Sequence, residues 1–156
     1  MANIRSSVHT LFFPVLLLLI ACDMPQDPED TFERATDGPV RVGLTGHSPW
    51  VIIEDGQYSG TEVQLVQAFS DKIGSRIEWH EGSESVLLES LKRHELDLVI
   101  GGLKKSIPWK TVAFTKPYMT IGQDKHVMAV PLGENRWLLE LEKFLNSPPA
   151  KEIMER

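Results

Sequence analysis

The strongest constraint on the fold is the run Leu96-Asp97-Leu98-Val99-Ile100, which ends in Gly101-Gly102. An apolar run broken by a single Asp, without polar alternation, suits a strand covered on both faces. Such a strand needs a layer on each side, and the residues before it supply the elements. Val40, Val42 and Leu44 alternate with Arg41, Gly43 and Thr45, the period of a short strand. Thr61-Glu62-Val63-Gln64 has capping-box spacing, and Leu65, Val66, Phe69 and Ile73 recur at helical intervals up to Gly74. Arg76 to His80 predicts a second strand; Ser83 to Arg93, with Leu87, Leu88 and Leu91 on one side, predicts a second helix. The succession is β-α-β-α-β, and right-handed crossovers make it a parallel sheet with helices packed on it.

Beyond the third strand, Lys104 to Lys110 has the Pro and polar residues of a loop, and Val112 to Phe114 a brief extended stretch. Met119 to Ile121 and His126 to Val130 are extended segments separated by Gly122-Gln123-Asp124-Lys125, a four-residue hairpin turn. Trp137, Leu138, Leu141, Phe144 and Leu145 share one face of a helix over 135–145, which Pro148-Pro149 ends.

The chain of 156 residues holds one modest domain, expected over 40–146, with a tail over 147–156. Residues 1–21 have the layout of an export signal: Arg5, then an apolar run from Leu11 that is too short for a permanent membrane span. Its end, Leu19-Ile20-Ala21-Cys22, resembles the bacterial lipobox, which implies that Cys22 carries lipid and anchors the protein in a membrane. The following Asp23 is similar to an inner-membrane retention signal. Cys22 is the sole cysteine, so it has no disulfide partner within the chain. Acyl chains contribute about 0.8 kcal/mol per buried CH₂, enough for a firm anchor when several are attached. Asp23, Asp27, Glu29, Asp30, Glu33 and Asp37, beside Pro25 and Pro28, predict an acidic flexible tether over 22–39. Without Arg5 the remainder has 15 basic and 22 acidic residues, a net of −7, and no basic stripe points to nucleic acid.

Arg41-Val42-Gly43-Leu44-Thr45-Gly46 with Pro49, Asp55-Gly56 with Gly60-Thr61-Glu62-Val63, Asp97 to Leu103, and Phe114-Thr115-Lys116-Pro117-Tyr118 follow one another in an informative order. Together they resemble the amino-acid-type family of bacterial extracellular solute-binding proteins. The resemblance implies an α/β, type II periplasmic-binding-protein-like lobe, with a mostly parallel sheet flanked by helices. In that family two strands cross to a second lobe and back. Here Met119 to Ile121 and His126 to Val130 are similar to those strands, joined only by a turn, so a β-hairpin is expected in place of the second lobe. Family members that bind α-amino acids carry an Arg after the third strand that grips the ligand carboxylate with two prongs. At that place this chain has Ile107-Pro108-Trp109-Lys110-Thr111; Lys105 or Lys110 offers a point charge but no planar fork.

In doubly wound sheets ligands sit beyond the carboxyl ends of strands, where neighbouring strands send the chain to opposite sides. With strand order 2-1-3, the expected half-site joins Thr45, Gly46, His47, Ser48 and Trp50 to Gly102, Leu103, Lys104, Lys105, Ser106, Trp109 and Lys110. Gly102 would let a ligand approach the backbone. Trp50 and Trp109 would stack on a ligand or act as lids on the core edge. Lys104 and Lys105 form an anion site or a solvated pair, and His47 a donor to the ligand or an exposed side chain. Glu62 is expected in the helix cap; Asp97, to satisfy nearby backbone donors or turn to solvent.

The five histidines lack zinc-type spacing, and no Gly-x-Ser-x-Gly elbow or phosphate loop occurs. The expectation is a protein without catalysis, cofactor or metal. It would bind a small polar solute on the periplasmic face of the membrane, for an inner-membrane ABC-type transporter or sensor subunit. The alternative is an interaction module that kept the fold and lost the solute, docking a membrane subunit or a second copy of itself as a homodimer. A one-sided shelf buries less of a ligand than a closed pocket does.

Overall fold

The structure, a computed structural model, describes residues 27–106 and 108–156. Strands β1 (Pro39–Leu44), β4 (Arg76–Glu81) and β5 (Leu98–Ile100) are parallel, with β1 central, which is the expected 2-1-3 order. Strand β9 (Ala129–Pro131) runs antiparallel to β5, and β6 (Val112–Phe114) antiparallel to β9, giving the sheet order β4-β1-β5-β9-β6. Helices α2 (Thr61–Ile73) and α3 (Glu84–Lys92) connect the parallel strands.

Strand alternation divides the interior into two cores. Val42, Leu44, Leu98, Ile100, Met128 and Val130 face one side, where they meet Val63, Val66 and Phe69 of α2. Helix α4 (Asn135–Leu145) adds Trp137, Leu141, Phe144 and Leu145 to the same core. Val99, Val127 and Ala129 face the other side and pack on Leu87, Leu88 and Leu91 of α3. A Cβ at Gly43 would crowd the side chains of Leu87, Leu96 and Val99, so this glycine lets α3 approach the sheet.

Among the described residues two short hairpins stand besides the main sheet. Strands β2 (Ile52–Glu54) and β3 (Gln57–Ser59) pair around Asp55-Gly56, both at positive φ. Strands β7 (Met119–Ile121) and β8 (Asp124–His126) pair with Ile121 opposite Asp124. The predicted four-residue turn is therefore shortened to Gly122-Gln123, with Gly122 at φ 61°. The predicted strand from His126 to Val130 is also divided: His126 ends the small hairpin and Ala129 starts the pairing with β5. The family-like hairpin exists, but it stands apart from the main sheet.

Two expectations at the ends are corrected. The described part of the supposed tether contains helix α1 (Thr31–Asp37), with Ala35 fully buried. Asp27 accepts hydrogen bonds from the backbone N–H of Phe32 (3.0 Å) and of Trp137 (3.2 Å), in the first turns of α1 and α4. Glu134, buried just before α4, in turn accepts from the N–H groups of Glu29 and Thr31. Each acid thus satisfies orphan donors near a helix start distant in sequence. The supposed tail forms α5 (Pro148–Met154), whose Ala150 is buried in the first core. Pro148-Pro149 ends α4 but opens α5, since a proline in the first turn has no N–H to leave unpaired. Cys22 and the export signal lie outside the described residues.

Candidate functional site

The loops after β1 and β5 leave the sheet side by side, joined by Thr45 N–H to the Ile100 carbonyl at 3.2 Å. The first loop closes on itself: His47 N–H donates to the Val51 carbonyl, and Trp50 N–H to the His47 carbonyl. It then serves as the cap of α2, because the Pro49 and Trp50 carbonyls accept the N–H groups of Thr61 and Glu62. Among the described residues no side-chain hydrogen bond caps this helix. The capping-box role expected of Glu62 is therefore incorrect, and its carboxylate is free for another task.

That task is to hold the glycine loop. Glu62 Oε2 accepts the backbone N–H of Gly101 at 2.7 Å and of Gly102 at 2.9 Å, and Oε1 accepts the Tyr118 hydroxyl. Glu62 is fully buried. Burial pushes its carboxyl upward from the ordinary value, with the Tyr118 hydroxyl and the two glycine N–H groups opposing. Burial and the neighbouring Glu62 push the Tyr118 hydroxyl far up, so it remains a donor. His47 Nδ1 lies 3.0 Å from the Gly101 carbonyl, which assigns the proton to Nδ1 and leaves Nε2 as an acceptor in the neutral ring.

Gly102, at φ 67°, has no room for a Cβ, which would run into the Trp50 and His47 rings. The expected close approach at this glycine thus comes from the protein's own side chains. Trp50, expected either on a ligand or as a lid, is 5% exposed and belongs to the interior. Its ring lies on His126 with centroids 4.0 Å apart and meets Tyr118 edge-on at 6.2 Å.

A cleft of about 180 Å³ remains above this layer, lined by His47, Glu84, Gly101, Gly102, Leu103, Lys104 and Ser106. It brings together one predicted residue of the first loop with five neighbours in the second, and adds Glu84 from the start of α3, which sequence reasoning missed. Lys104 Nζ is paired with Asp124 at 2.7 Å, and this holds the Asp124 carboxyl below the usual range. A second hollow of about 390 Å³ shares Lys104 and Ser106 and continues over Lys105, Gln123, Asp124 and Lys125. Trp109 lies elsewhere, beside Ser85, Val86, Glu89 and Arg93 on the outer side of α3. Lys110 is exposed and lines neither hollow, while Thr45 packs against Gly101 and Gly46 against Ile53. Among the described residues, no group of three or more His, Cys, Asp or Glu side chains is placed to hold a metal ion.

His126 is 4% exposed, and its Nδ1 has no partner. Burial holds its imidazolium below the ordinary range, against smaller opposing pulls from the Gly102 backbone and Asp124; Lys104 and His47 add to the downward shift. Its stabilising contribution is therefore present above pH 6.5 and lost as pH falls through the depressed folded value. His126→Phe should flatten the acid-side decline by up to roughly 1.4 kcal/mol per pH unit, the limit for one proton. Urea unfolding of both proteins between pH 7.5 and 5 measures it; parallel pH profiles would contradict the assignment.

Comparison with known proteins agrees with this geometry. Residues 40–147 match the pattern of bacterial extracellular solute-binding proteins, family 3. The probable amino-acid-binding protein YxeM of Bacillus subtilis is 32% identical over 91 residues, 57% of this chain and 34% of that protein. Membrane-bound lytic murein transglycosylase F of Vibrio campbellii is 29% identical over 105 residues, 65% of this chain and 20% of that protein. The chain thus spans a fifth to a third of these relatives' length. Among solved structures, the arginine-bound form of domain 1 from TmArgBP superposes with a TM-score of 0.66 at 23% identity, covering 72% of this chain and 95% of that domain. The ancestral amino-acid-binding protein AncCDT-1 gives 0.71 at 14% identity, covering 80% and 97%. The match takes in every strand of the main sheet and both of its crossover helices, and the chain belongs to the bacterial extracellular solute-binding proteins, family 3.

Proposed function

We propose that this lobe binds a small polar solute of amino-acid size in the cleft between the loops after β1 and β5. The observation that carries the reading is the placement of that cleft: it lies beyond the carboxyl ends of adjacent parallel strands whose chains part to opposite faces. A single lobe is enough for binding in one structural relative, since domain 1 from TmArgBP is described in an arginine-bound form. The names of YxeM and of the probable arginine-binding protein ArtJ of Chlamydia trachomatis support an amino acid as the solute. The lobe binds without chemistry and presents its solute to an ABC-type transporter or a sensor subunit in the inner membrane. Acyl chains on Cys22 would keep it on the periplasmic face.

A second reading, an interaction module that has lost its solute, is favoured by the loop itself. The N–H groups of Gly101 and Gly102 are both taken by Glu62, so neither is free for a ligand. Thermal unfolding of the full chain against a panel of amino acids, small peptides and polyamines separates the two, because a ligand of the folded state raises apparent stability. A concentration-dependent rise with at least one solute supports binding. No rise with any solute, together with recovery of one membrane subunit or a second copy in pulldown, supports the module and overturns the solute reading.

A further inference from the structure

The small hairpin is extended on one side by the loop after β5. Lys104 forms an isolated antiparallel bridge with His126, and the Lys105 N–H donates to the Lys125 carbonyl at 2.9 Å, so Lys105 stands directly opposite Lys125. On the other side of β8, strand β7 sets Thr120 opposite Lys125. Residues directly opposite in an antiparallel pair share a face, and like charges in that relation repel. Among the described residues neither Lys105 nor Lys125 is ion-paired, and the one acid lining their hollow, Asp124, is taken by Lys104. Of the two lysines that the sequence offers to an anion, Lys104 is thus neutralised, while Lys105 gains a second cation in Lys125. The chain has 22 acidic and 16 basic residues, yet this ribbon sets two lysines against each other beside a cavity of about 390 Å³.

The Ser106 hydroxyl and the Gln123 amide line the same cavity and add neutral donors. Its volume, that of about thirteen waters, holds a tetrahedral oxyanion with part of the molecule that carries it. With the Lys104 and Asp124 charges cancelled, two positive charges remain, which match a phosphate monoester of charge about −1.5 to −2 at neutral pH. Lysine holds phosphate as a point charge and needs no planar fork. We infer that this hollow is a second binding site beside the solute cleft and that it takes a phosphate group. Lys105 and Lys125 neutralise the phosphate charge, while Ser106 and Gln123 donate to its oxygens. Binding turns one cross-strand repulsion into two attractions. The site stands apart from the solute-binding reading, since phosphate reaches it without an amino acid in the cleft.

Isothermal titration of the full chain with inorganic phosphate, glycerol 3-phosphate and dimethyl phosphate, with chloride as the control, tests this at one fixed ionic strength, which removes general screening. Inorganic phosphate or glycerol 3-phosphate is expected to bind with a Kd of about 1 mM or below, and dimethyl phosphate, with a single charge, about tenfold more weakly. Tighter binding of glycerol 3-phosphate assigns the site to phosphate carried on a larger molecule, and tighter binding of inorganic phosphate assigns it to the free ion. Lys105→Gln and Lys125→Gln should each weaken the better ligand about fivefold or more. Without phosphate, each variant should unfold at a higher temperature than the parent, because the opposed charges are gone. A phosphate response no greater than that of chloride overturns the inference, as does dimethyl phosphate binding as tightly as the monoester. Unchanged affinity in both variants, or a lower thermal midpoint in both, overturns it as well, and each of these outcomes leaves the solute reading intact.

Discussion

Glu62→Ala is expected to lower stability by about 3–6 kcal/mol, a large part of the roughly 5–15 kcal/mol that holds a domain together. The substitution leaves the buried N–H groups of Gly101 and Gly102 and the Tyr118 hydroxyl without their acceptor. Each buried orphan costs about 1–3 kcal/mol, and the missing side chain adds a void under the loop. The thermal midpoint should fall by about 10 °C or more. Glu62→Gln, which keeps an acceptor for the glycine N–H pair, and Tyr118→Phe, which removes one donor, should each cost about 1–2 kcal/mol. A Glu62→Ala midpoint within about 3 °C of the parent would show that the loop finds other partners.

The same residue has a pH signature. Burial raises the folded-state value of Glu62 above its ordinary 4.5, so the folded state holds this proton more tightly than the unfolded chain does. The resulting stabilisation is fully present below pH 4.5 and is lost as pH rises through the raised value. The advantage of the parent over Glu62→Gln should therefore shrink from acid toward neutral pH. Denaturant midpoints of the pair at several pH values read the slope directly, and an advantage that grows with pH would contradict the sign.

Asp97→Ala has the second large expected effect. Asp97 is 1% exposed and accepts the Arg41 backbone N–H at 2.8 Å, Arg41 Nε at 3.2 Å and Arg41 Nη2 at 2.7 Å, with a further hydrogen bond from Arg34 of α1. Breaking a buried ion pair costs about 3–5 kcal/mol when the remaining charge stays buried. Here both guanidinium groups reach solvent and can be rehydrated, so about 2–4 kcal/mol is the better expectation. Asp97→Asn, which keeps one acceptor, should lose about half as much. Because Arg34 ties α1 to this acid, proteolysis of the Asp97→Ala protein should begin near 30–38, before the sheet is cut. Unchanged proteolysis there would mean that the caps from Asp27 and Glu134 alone retain the helix.

The sheet was legible because its determinants are local. Strand alternation in Val40 to Leu44, the unbroken Leu98-Val99-Ile100 run and the apolar stripes of α2 and α3 are each visible within a dozen residues, and together they imply the 2-1-3 order. Helix α1 was not legible, because only Phe32 and Ala35 of its seven residues are apolar and it sits in a segment crowded with acids and prolines. Its ties to the rest of the fold come from distant side chains, Glu134, which accepts the N–H groups of Glu29 and Thr31, and Asp97, which is paired with Arg34. Hairpin β2–β3 was passed over because three-residue strands carry too little alternation, although Asp55-Gly56 is a recognisable hairpin turn.

The site divides in the same way. The meeting of the two loops followed from topology, and His47, Gly102 and Lys104 were found with it. Glu62 has the spacing of a cap, and only its contact with glycines 39 and 40 residues away reveals the loop clamp. Trp50 has the composition of a ligand platform, but packing against His126 and Tyr118 draws it inside. Glu84 looks like any first-turn acid until the fold sets it beside the glycine loop.

The reciprocal caps between Asp27 and Glu134 bear on how the lobe would stand on a membrane. Strand β9 runs antiparallel to β5, so Glu134, just beyond its end, and Asp27 beside it occupy the pole opposite the cleft. With Cys22 acylated as proposed, the leash from lipid to folded protein is not eighteen residues but five, at most about 18 Å of chain. A lobe of this size has a radius of gyration of about 14 Å, so its far pole lies well beyond that leash. So anchored, the lobe would tip but would not turn over. The cleft would open toward the cell wall, and a membrane partner would have to reach around the lobe to collect what it holds.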